Sequence, residues 1–448
     1  MRCNKAWNLF ARILPRVGTA SAVLLAAFAA VGAPGAGKTP SAYLLSVATD
    51  RTNALYHRGE EVIFTIAVSL QGKPADDARV RWTLSKDGKD LKREGELKLH
   101  GGSAVVKGSL DEPGFLQCRA DITPPGEKLH TVRAAAAIDP LEIKPSLPAP
   151  DDFDAFWAAE KRKLAAVPRN VRMTPVKSPV PGVECFDVQA DGLGGPMSAY
   201  LARPAGAKTN NLPALVLTHG AGVASSRLSV AAAWAKDGLL ALDFNAHGLP
   251  NGKLRAFYDD LSRGELKEYY WKGRDSRETI FFHALYLRLQ RALDVVAAQP
   301  EWDGRRLIVC GRSQGGGQAL VVAGLDPRVT FVAAEIPAFC DHTGIVAGRI
   351  NGWPRLIPND AETPDENVVQ AARYYDAVNF AARTHARAFV TTGFIDVICP
   401  PTGVYAAYNQ LPGPKQIWNH VDTGHIARAD YDAAVREAVL TYLKGARP

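Results

Sequence analysis

The sequence predicts an α/β fold, a mostly parallel β-sheet flanked by helices, with a smaller all-β domain ahead of it. Three observations carry that reading. From about Leu212 onward, short wholly apolar runs alternate with longer helix-like stretches, as expected when strands are buried on both faces and helices cross over between them. Before Ile138 the apolar residues recur instead at every second position, the mark of half-buried strands. Between the two regions stand Pro140, Pro145, Pro148 and Pro150, a stiff linker over 140–150.

Taken in order, the chain opens with Arg2, Lys5, Arg12 and Arg16, then runs without charge over 17–37 through an apolar core at 22–31. A basic start, a short apolar core and small residues are the build of a secretory signal peptide, so 1–36 is set apart, with cleavage expected near Ala33 to Gly37. The protein is then expected to be secreted or periplasmic. An uncleaved anchor is the alternative; no cysteine follows the apolar core to accept a lipid, and nothing later is long and apolar enough to span a bilayer. Residues 32–39 spell the phosphate-loop pattern G-x-x-x-x-G-K-T, but no strand precedes them and Pro40 follows at once, so no nucleotide is expected there.

Across 448 residues, 47% hydrophobic and 22% charged content excludes a disordered chain and allows sizeable cores. The net charge of +7 comes from scattered Lys and Arg with no dense basic block, so no nucleic-acid partner is expected. Of the six cysteines, Cys3 leaves with the signal. Cys118, Cys185, Cys310, Cys340 and Cys399 lack metal-ligand spacing and are expected to be buried thiols, with one disulfide left open.

Residues 40–139 hold about seven alternating runs, clearest at Val62, Phe64, Ile66 and Val68 on one face and Val80, Trp82 and Leu84 on another. Turn signals at Gln71-Gly72, Asp87-Gly88, Gly101-Gly102 and Pro113-Gly114 separate them, which fits a β-sandwich of immunoglobulin type with Trp82 in its core. A spacer, a lid or a carbohydrate-binding module would all suit it. Beyond the linker, the domain at 151–448 begins with a helix whose first turn carries Asp151, Asp152 and Asp154, charges that complement the helix dipole. Its strands are expected at 214–218, 239–243, 307–310, 329–335, 388–392 and 416–418, and its helices at 279–298, 368–382 and 431–444.

Gly311-Arg312-Ser313-Gln314-Gly315-Gly316-Gly317 lies between the strand at 307–310 and a helix-like run. At such a G-x-S-x-G turn only small neighbours fit, so the serine hydroxyl stands clear of the sheet while the next N–H points at the same spot. A solvated serine on a Gly-rich turn is the plain alternative. A nucleophile needs a base and a group to orient it, and Asp396 and His425 follow two later strands in the chain order this topology uses. Asp396 would also suit a helix cap after Pro400-Pro401, and His425 a cap of the last helix. For an oxyanion, the N–H groups of Gln314 and Ala221 are the candidates, and His219 reads as a structural turn residue. Aromatic residues crowd two insertions. Tyr269, Tyr270 and Trp271 lie in 250–275 and Trp353 in 342–366, where Tyr270, Trp271 and Trp353 could stack on sugar rings or pack over the sheet edge.

These residues resemble the acetyl xylan esterase and cephalosporin C deacetylase family, carbohydrate esterase family seven. The resemblance runs over about 151–444 and is carried by Asp152-Phe153-Asp154-Ala155-Phe156-Trp157, Gly311-Arg312-Ser313-Gln314-Gly315-Gly316 and, most specifically, Gly393-Phe394-Ile395-Asp396-Val397-Ile398-Cys399-Pro400-Pro401-Thr402. It implies an α/β-hydrolase fold with Ser313 as nucleophile, Asp396 as acid and His425 as base. It further implies a serine esterase that removes acetyl groups from a carbohydrate such as xylan, needs no cofactor or metal, and forms a homo-oligomer. Where the family usually carries Arg-Gly-Gln this chain has Ala246-His247-Gly248, and His425 is followed by Ile426 rather than Glu. A serine hydrolase for another ester or peptide bond, or a non-catalytic carbohydrate-binding protein that keeps the fold, are the alternatives.

Overall fold

The computed structural model describes residues 41–445, so the expected signal segment at 1–36 and the phosphate-loop look-alike lie outside the described residues. From Ala42 on, the chain forms one compact unit. Its first part is two sheets. One places β3 (Val62–Leu70) between β1 (Tyr43–Thr49) and β7 (Ser103–Gly108), with the short β4 (Lys73–Pro74) also on β3. The other runs in the order β2 (Leu55–Tyr56), β9 (His130–Ile138), β8 (Gly114–Ile122), β5 (Arg79–Lys86) and β6 (Lys89–Lys98). Val62, Phe64, Ile66 and Val68 of β3 meet Val80 and Leu84 of β5 and Leu116 and Cys118 of β8 in a shared core. Trp82 only flanks that core: its indole lies over Gly95, where a methyl group would come within 3.0 Å of Nε1. Asp87 and Gly88 take φ of 50° and 79°, the two left-handed positions a tight hairpin turn requires.

Strands β8 and β9 depart from the half-buried pattern because both of their faces are covered. Leu116, Cys118, Ala134 and Ala136 point into the sandwich, whereas Phe115, Ala135 and Ala137 join the core of the following domain. The run Ala134-Ala135-Ala136-Ala137 is small enough on both sides for two layers to close on it. Residues 140–150 are correspondingly no free spacer. Asn409 donates to the carbonyls of Pro140 (3.0 Å) and Ile143 (2.9 Å), and Ser146 donates through its N–H (2.8 Å) and hydroxyl (2.6 Å) to Asp341.

The second part is a nine-stranded sheet with helices on both faces. Its strands are β10 (Arg172–Val176), β11 (Val183–Ala190), β12 (Met197–Pro204), β13 (Leu212–Thr218), β14 (Leu240–Asn245), β15 (Trp302–Arg312), β16 (Val329–Glu335), β17 (Arg387–Gly393) and β18 (Lys415–His420), in the order β10-β11-β12-β14-β13-β15-β16-β17-β18. The last six are parallel, at the expected positions. The antiparallel edge β10 to β12 was not expected: β10 and β11 are mostly not buried, so their sequence carries no continuous apolar run.

The helices are α1 (Phe153–Ala166), α2 (Leu228–Lys236), α3 (Arg255–Arg263), α4 (Phe281–Ala297), α5 (Gln314–Leu325), α6 (Glu366–Tyr374), α7 (Ala377–Ala381), α8 (Pro401–Gln410) and α9 (Ala429–Gly445). The single helix expected at 368–382 is broken. Asp376 leaves the helix to accept from the N–H groups of Asp341 (2.9 Å), His342 (2.6 Å) and Val378 (3.0 Å), which starts α7 afresh. All five cysteines in the described residues are buried and free, and none of the described helices is long and apolar enough to cross a membrane.

Candidate active site

The parallel strands end on one edge of the sheet, and the site is built there. Between β15 and α5, Ser313 takes φ 57° and ψ −122°, a conformation costly for any residue but glycine. Its own backbone holds it: the N–H donates to the Glu335 carbonyl (2.9 Å), and its carbonyl accepts from Ala338 (2.9 Å) and Gly317 (3.1 Å). The surrounding glycines are steric necessities. A methyl on Gly311 would lie 2.1 Å from Thr218 Oγ1, and one on Gly317 2.4 Å from the Ala338 carbonyl oxygen.

Ser313 Oγ lies 2.9 Å from His425 Nε2, and His425 Nδ1 lies 2.7 Å from Asp396 Oδ2. Asp396 is fully buried, and its other oxygen accepts from the N–H groups of Ile398 (2.8 Å) and Cys399 (2.9 Å). A carboxylate held this way can only accept from Nδ1–H, which leaves the Nε2 lone pair facing the serine hydroxyl. The loops carrying the two groups press together, since a methyl on Gly393 would come 2.4 Å from the Thr423 carbonyl oxygen and Ile395 N–H donates to that same carbonyl (3.2 Å). Neither residue caps a helix: α8 starts at Pro401 after Pro400, and α9 starts at Ala429.

Gln314 is the first residue of α5, so its N–H is one that no helix carbonyl can take. The 219–222 turn passes beside it, and a methyl on Gly220 would be 3.8 Å from Ser313 Cβ. His219 is a structural turn residue: its Nδ1 accepts from Arg227 (2.6 Å), so Nε2 carries the proton given to the buried Asp243 (2.5 Å). The sequence marks Tyr269 only as one of several loop aromatics and His247 only as a departure from the family pattern, with no role for either. The buried hydroxyl of Tyr269 donates to Gln314 Oε1 (2.5 Å) and receives the Gly222 N–H (3.4 Å), tying α5 to the turn. His247, in the place of the family's Arg-Gly-Gln, hydrogen-bonds the Gly222 carbonyl through Nε2 (2.9 Å) and meets the Tyr269 ring edge-on at 4.6 Å. Burial pushes the His247 imidazole down to about 4, so it is neutral near pH 7.

Tyr270, Trp271 and Trp353 come together, with the Tyr270 ring 5.6 Å from each tryptophan. Trp271 remains 40% exposed; its Nε1 donates to the Pro354 carbonyl (3.0 Å) and the Arg274 guanidinium lies over its ring, 5.0 Å from the centroid, so its orientation is fixed and one face is covered. A cavity of about 660 Å³ lies behind the 219–222 turn, lined by His219, Ala221, Arg227, Arg312 and Arg436 among others, but Ser313, Asp396 and His425 do not line it. Ligand atoms of Asp396, Cys399 and His425 all lie within 4.8 Å of one another. Burial raises the Cys399 thiol well above its usual range, and the carboxylate and imidazole are already bonded to each other, so this cluster suits a proton relay better than a metal.

Residues 138–444 match the family model described as Acetyl xylan esterase (AXE1). The chain belongs to the acetyl xylan esterase family. It is 31% identical over 382 residues to the acetyl esterase Axe7A of Xylanibacter ruminicola, covering 84% of this chain and 85% of that one. An alignment of that length exceeds the span after residue 138, so the likeness reaches into the β domain. The solved acetyl xylan esterase of a Paenibacillus species is similar at 28% identity and TM-score 0.58, covering 67% of this chain and 98% of its own. Acetyl Xylan Esterase 1 of a Thermoanaerobacterium species, at 24% identity and TM-score 0.54 over 66% of this chain and 96% of its own, shares the fold. Membership in the acetyl xylan esterase family makes this chain a carboxylic ester hydrolase of the deacetylating kind.

Proposed function

We propose that the protein removes acetyl groups from carbohydrate, acetylated xylan or its oligosaccharides, by way of an acyl-enzyme on Ser313. The observation that carries this is the unbroken relay from Ser313 Oγ through His425 to the buried Asp396. Ser313 attacks the acetyl carbonyl as His425 Nε2 takes its proton, and Asp396 keeps the imidazole oriented and stabilises its charged form. The N–H groups of Gln314 and Ala221 receive the oxyanion. His425 returns the proton to the departing sugar hydroxyl, and a water then repeats the sequence and frees acetate. Tyr270, Trp271 and Trp353 form the surface on which a sugar ring stacks, supported by their clustering and by the exposure of Trp271.

The basic and apolar start of the chain supports a secreted or periplasmic location. The β domain at 40–139 is immunoglobulin-like on this reading. Support comes from β1-β3-β7 facing β2-β9-β8-β5-β6, with β2 parallel to β9. Acetate release from acetylated xylan and from 4-nitrophenyl acetate tests the substrate. Release from both supports the reading; activity on the small ester alone would keep the esterase and discard xylan.

A further inference from the structure

We infer that the N-terminal β domain is a working part of the active site, positioning the loop that carries Asp396 and the loop that carries Trp353. This rests on the assignment of Asp396 and His425 made above. The contacts come from two places. On β8, the Phe115 ring meets Phe394 edge-on at 5.1 Å and Tyr405 at 5.8 Å, and the buried Gln117 side chain donates to the Phe394 carbonyl (3.2 Å). Phe394 is fully buried two residues before Asp396, and its N–H donates to the His420 carbonyl (2.9 Å). The acid loop is thus held by the β domain on one side and by the strand leading to His425 on the other.

The second place is the Asp87-Gly88 hairpin. Asp87 is 4% exposed, and its Oδ1 accepts from the Phe115 N–H (2.7 Å) and from the hydroxyl of Thr402 (2.5 Å), at the start of α8 just past the acid loop. Its carbonyl accepts from Ile350 N–H (3.0 Å), and Lys89 donates to the Asn359 carbonyl (2.9 Å), both within the loop that carries Trp353. Trp353 N–H in turn donates to the Ile398 carbonyl of the acid loop (2.7 Å). Gly88 is needed for this fit: its φ is 79°, and a methyl there would lie 2.5 Å from the Ile350 side chain. Asp87 therefore ties together the β domain, the acid loop and the aromatic loop, and Gln117, Asp87 and Thr402 act as positioning residues.

The test uses the full chain with Gln117→Ala, Thr402→Val and Thr402→Ser, and Ser313→Ala in parallel. It measures kcat and KM for 4-nitrophenyl acetate across pH 5–9, together with the thermal midpoint. Gln117→Ala and Thr402→Val are expected to lower kcat about tenfold while KM changes less than about twofold, since a displaced acid misaligns the base without touching the ester. The pH profile of kcat/KM changes as well, because the general base no longer has its partner in place. Thr402→Ser keeps the hydroxyl and restores the wild-type profile. Variants that melt earlier yet keep kcat and the pH profile would make the β domain a merely stabilising partner and overturn the inference. Turnover retained by Ser313→Ala would overturn the site assignment itself, a separate failure.

Discussion

Replacing Tyr269 by Phe removes one oxygen atom from beneath the site, and the structure sets the size of the effect. Gln314 is fully buried and its Nε2 already has no partner, so without the Tyr269 hydroxyl its Oε1 is stranded as well. A stranded buried polar atom costs about 1–3 kcal/mol. The side chain relieves this by turning, which draws the start of α5 and the 219–222 turn out of register with each other. Neither of the proposed oxyanion donors, the N–H groups of Gln314 and Ala221, is deleted, so the loss must stay below the roughly 100- to 1,000-fold expected for removing one. A fall in kcat of about tenfold, near 1.4 kcal/mol, is expected, with KM for 4-nitrophenyl acetate within about twofold. Stopped-time rate measurements with a thermal melt decide it. A variant that melts earlier but turns over at the wild-type kcat would show that Tyr269 merely fills the core and does not hold α5 to the 219–222 turn.

Asp396→Asn should keep the two loop N–H contacts through its carbonyl oxygen but offer an amide N–H₂ to His425 Nδ1, favouring the wrong tautomer; kcat should fall about 10⁴-fold with the melt little changed. Trp271→Ala should raise KM for acetylated xylo-oligosaccharides several-fold, about 1 kcal/mol, and leave the small ester unaffected. His342, 1% exposed with an unpartnered Nε2, is pushed down to about 3 by burial. Between its unfolded value near 6.5 and that folded value, the unfolded chain binds a proton the folded chain refuses. The contribution of His342 is therefore full above pH 6.5 and is lost as pH falls, by roughly 2–3 kcal/mol between pH 7 and 4.5, while the buried Asp376, pushed up to about 7, acts in the opposite sense. Urea midpoints of the wild type and of His342→Gln at the two pH values isolate the His342 loss: on going from pH 7 to 4.5 the wild type should lose more stability than the variant by that amount.

The parallel half of the sheet was legible because each strand is buried on both faces and so reads as an unbroken apolar run, as in Leu307-Ile308-Val309-Cys310. The Ser313 turn was legible for a related reason: steric crowding there leaves glycine as the only choice at Gly311 and Gly317, and that shows in the letters. Asp396 and His425 could be picked out because each follows a strand end, although only the folded chain brings them together. What stayed hidden depends on partners far away in sequence. The break at Asp376 is set by N–H groups at Asp341 and His342. The task of Tyr269 depends on Gln314, and the second face of β8 and β9 is buried only because another domain covers it. The run of four alanines at 134–137 was the one local sign of that covering, since neither face there carries a bulky or charged residue.

The most direct measurement of the central claim is to inactivate the protein with an acetyl-ester-mimicking aryl phosphonate, digest it and locate the adduct by peptide mass. One equivalent is expected on Ser313, at a rate that falls sharply when His425 is replaced by Ala, because the serine then lacks its base. An adduct on any other residue, or inactivation of Ser313→Ala at the wild-type rate, would contradict it.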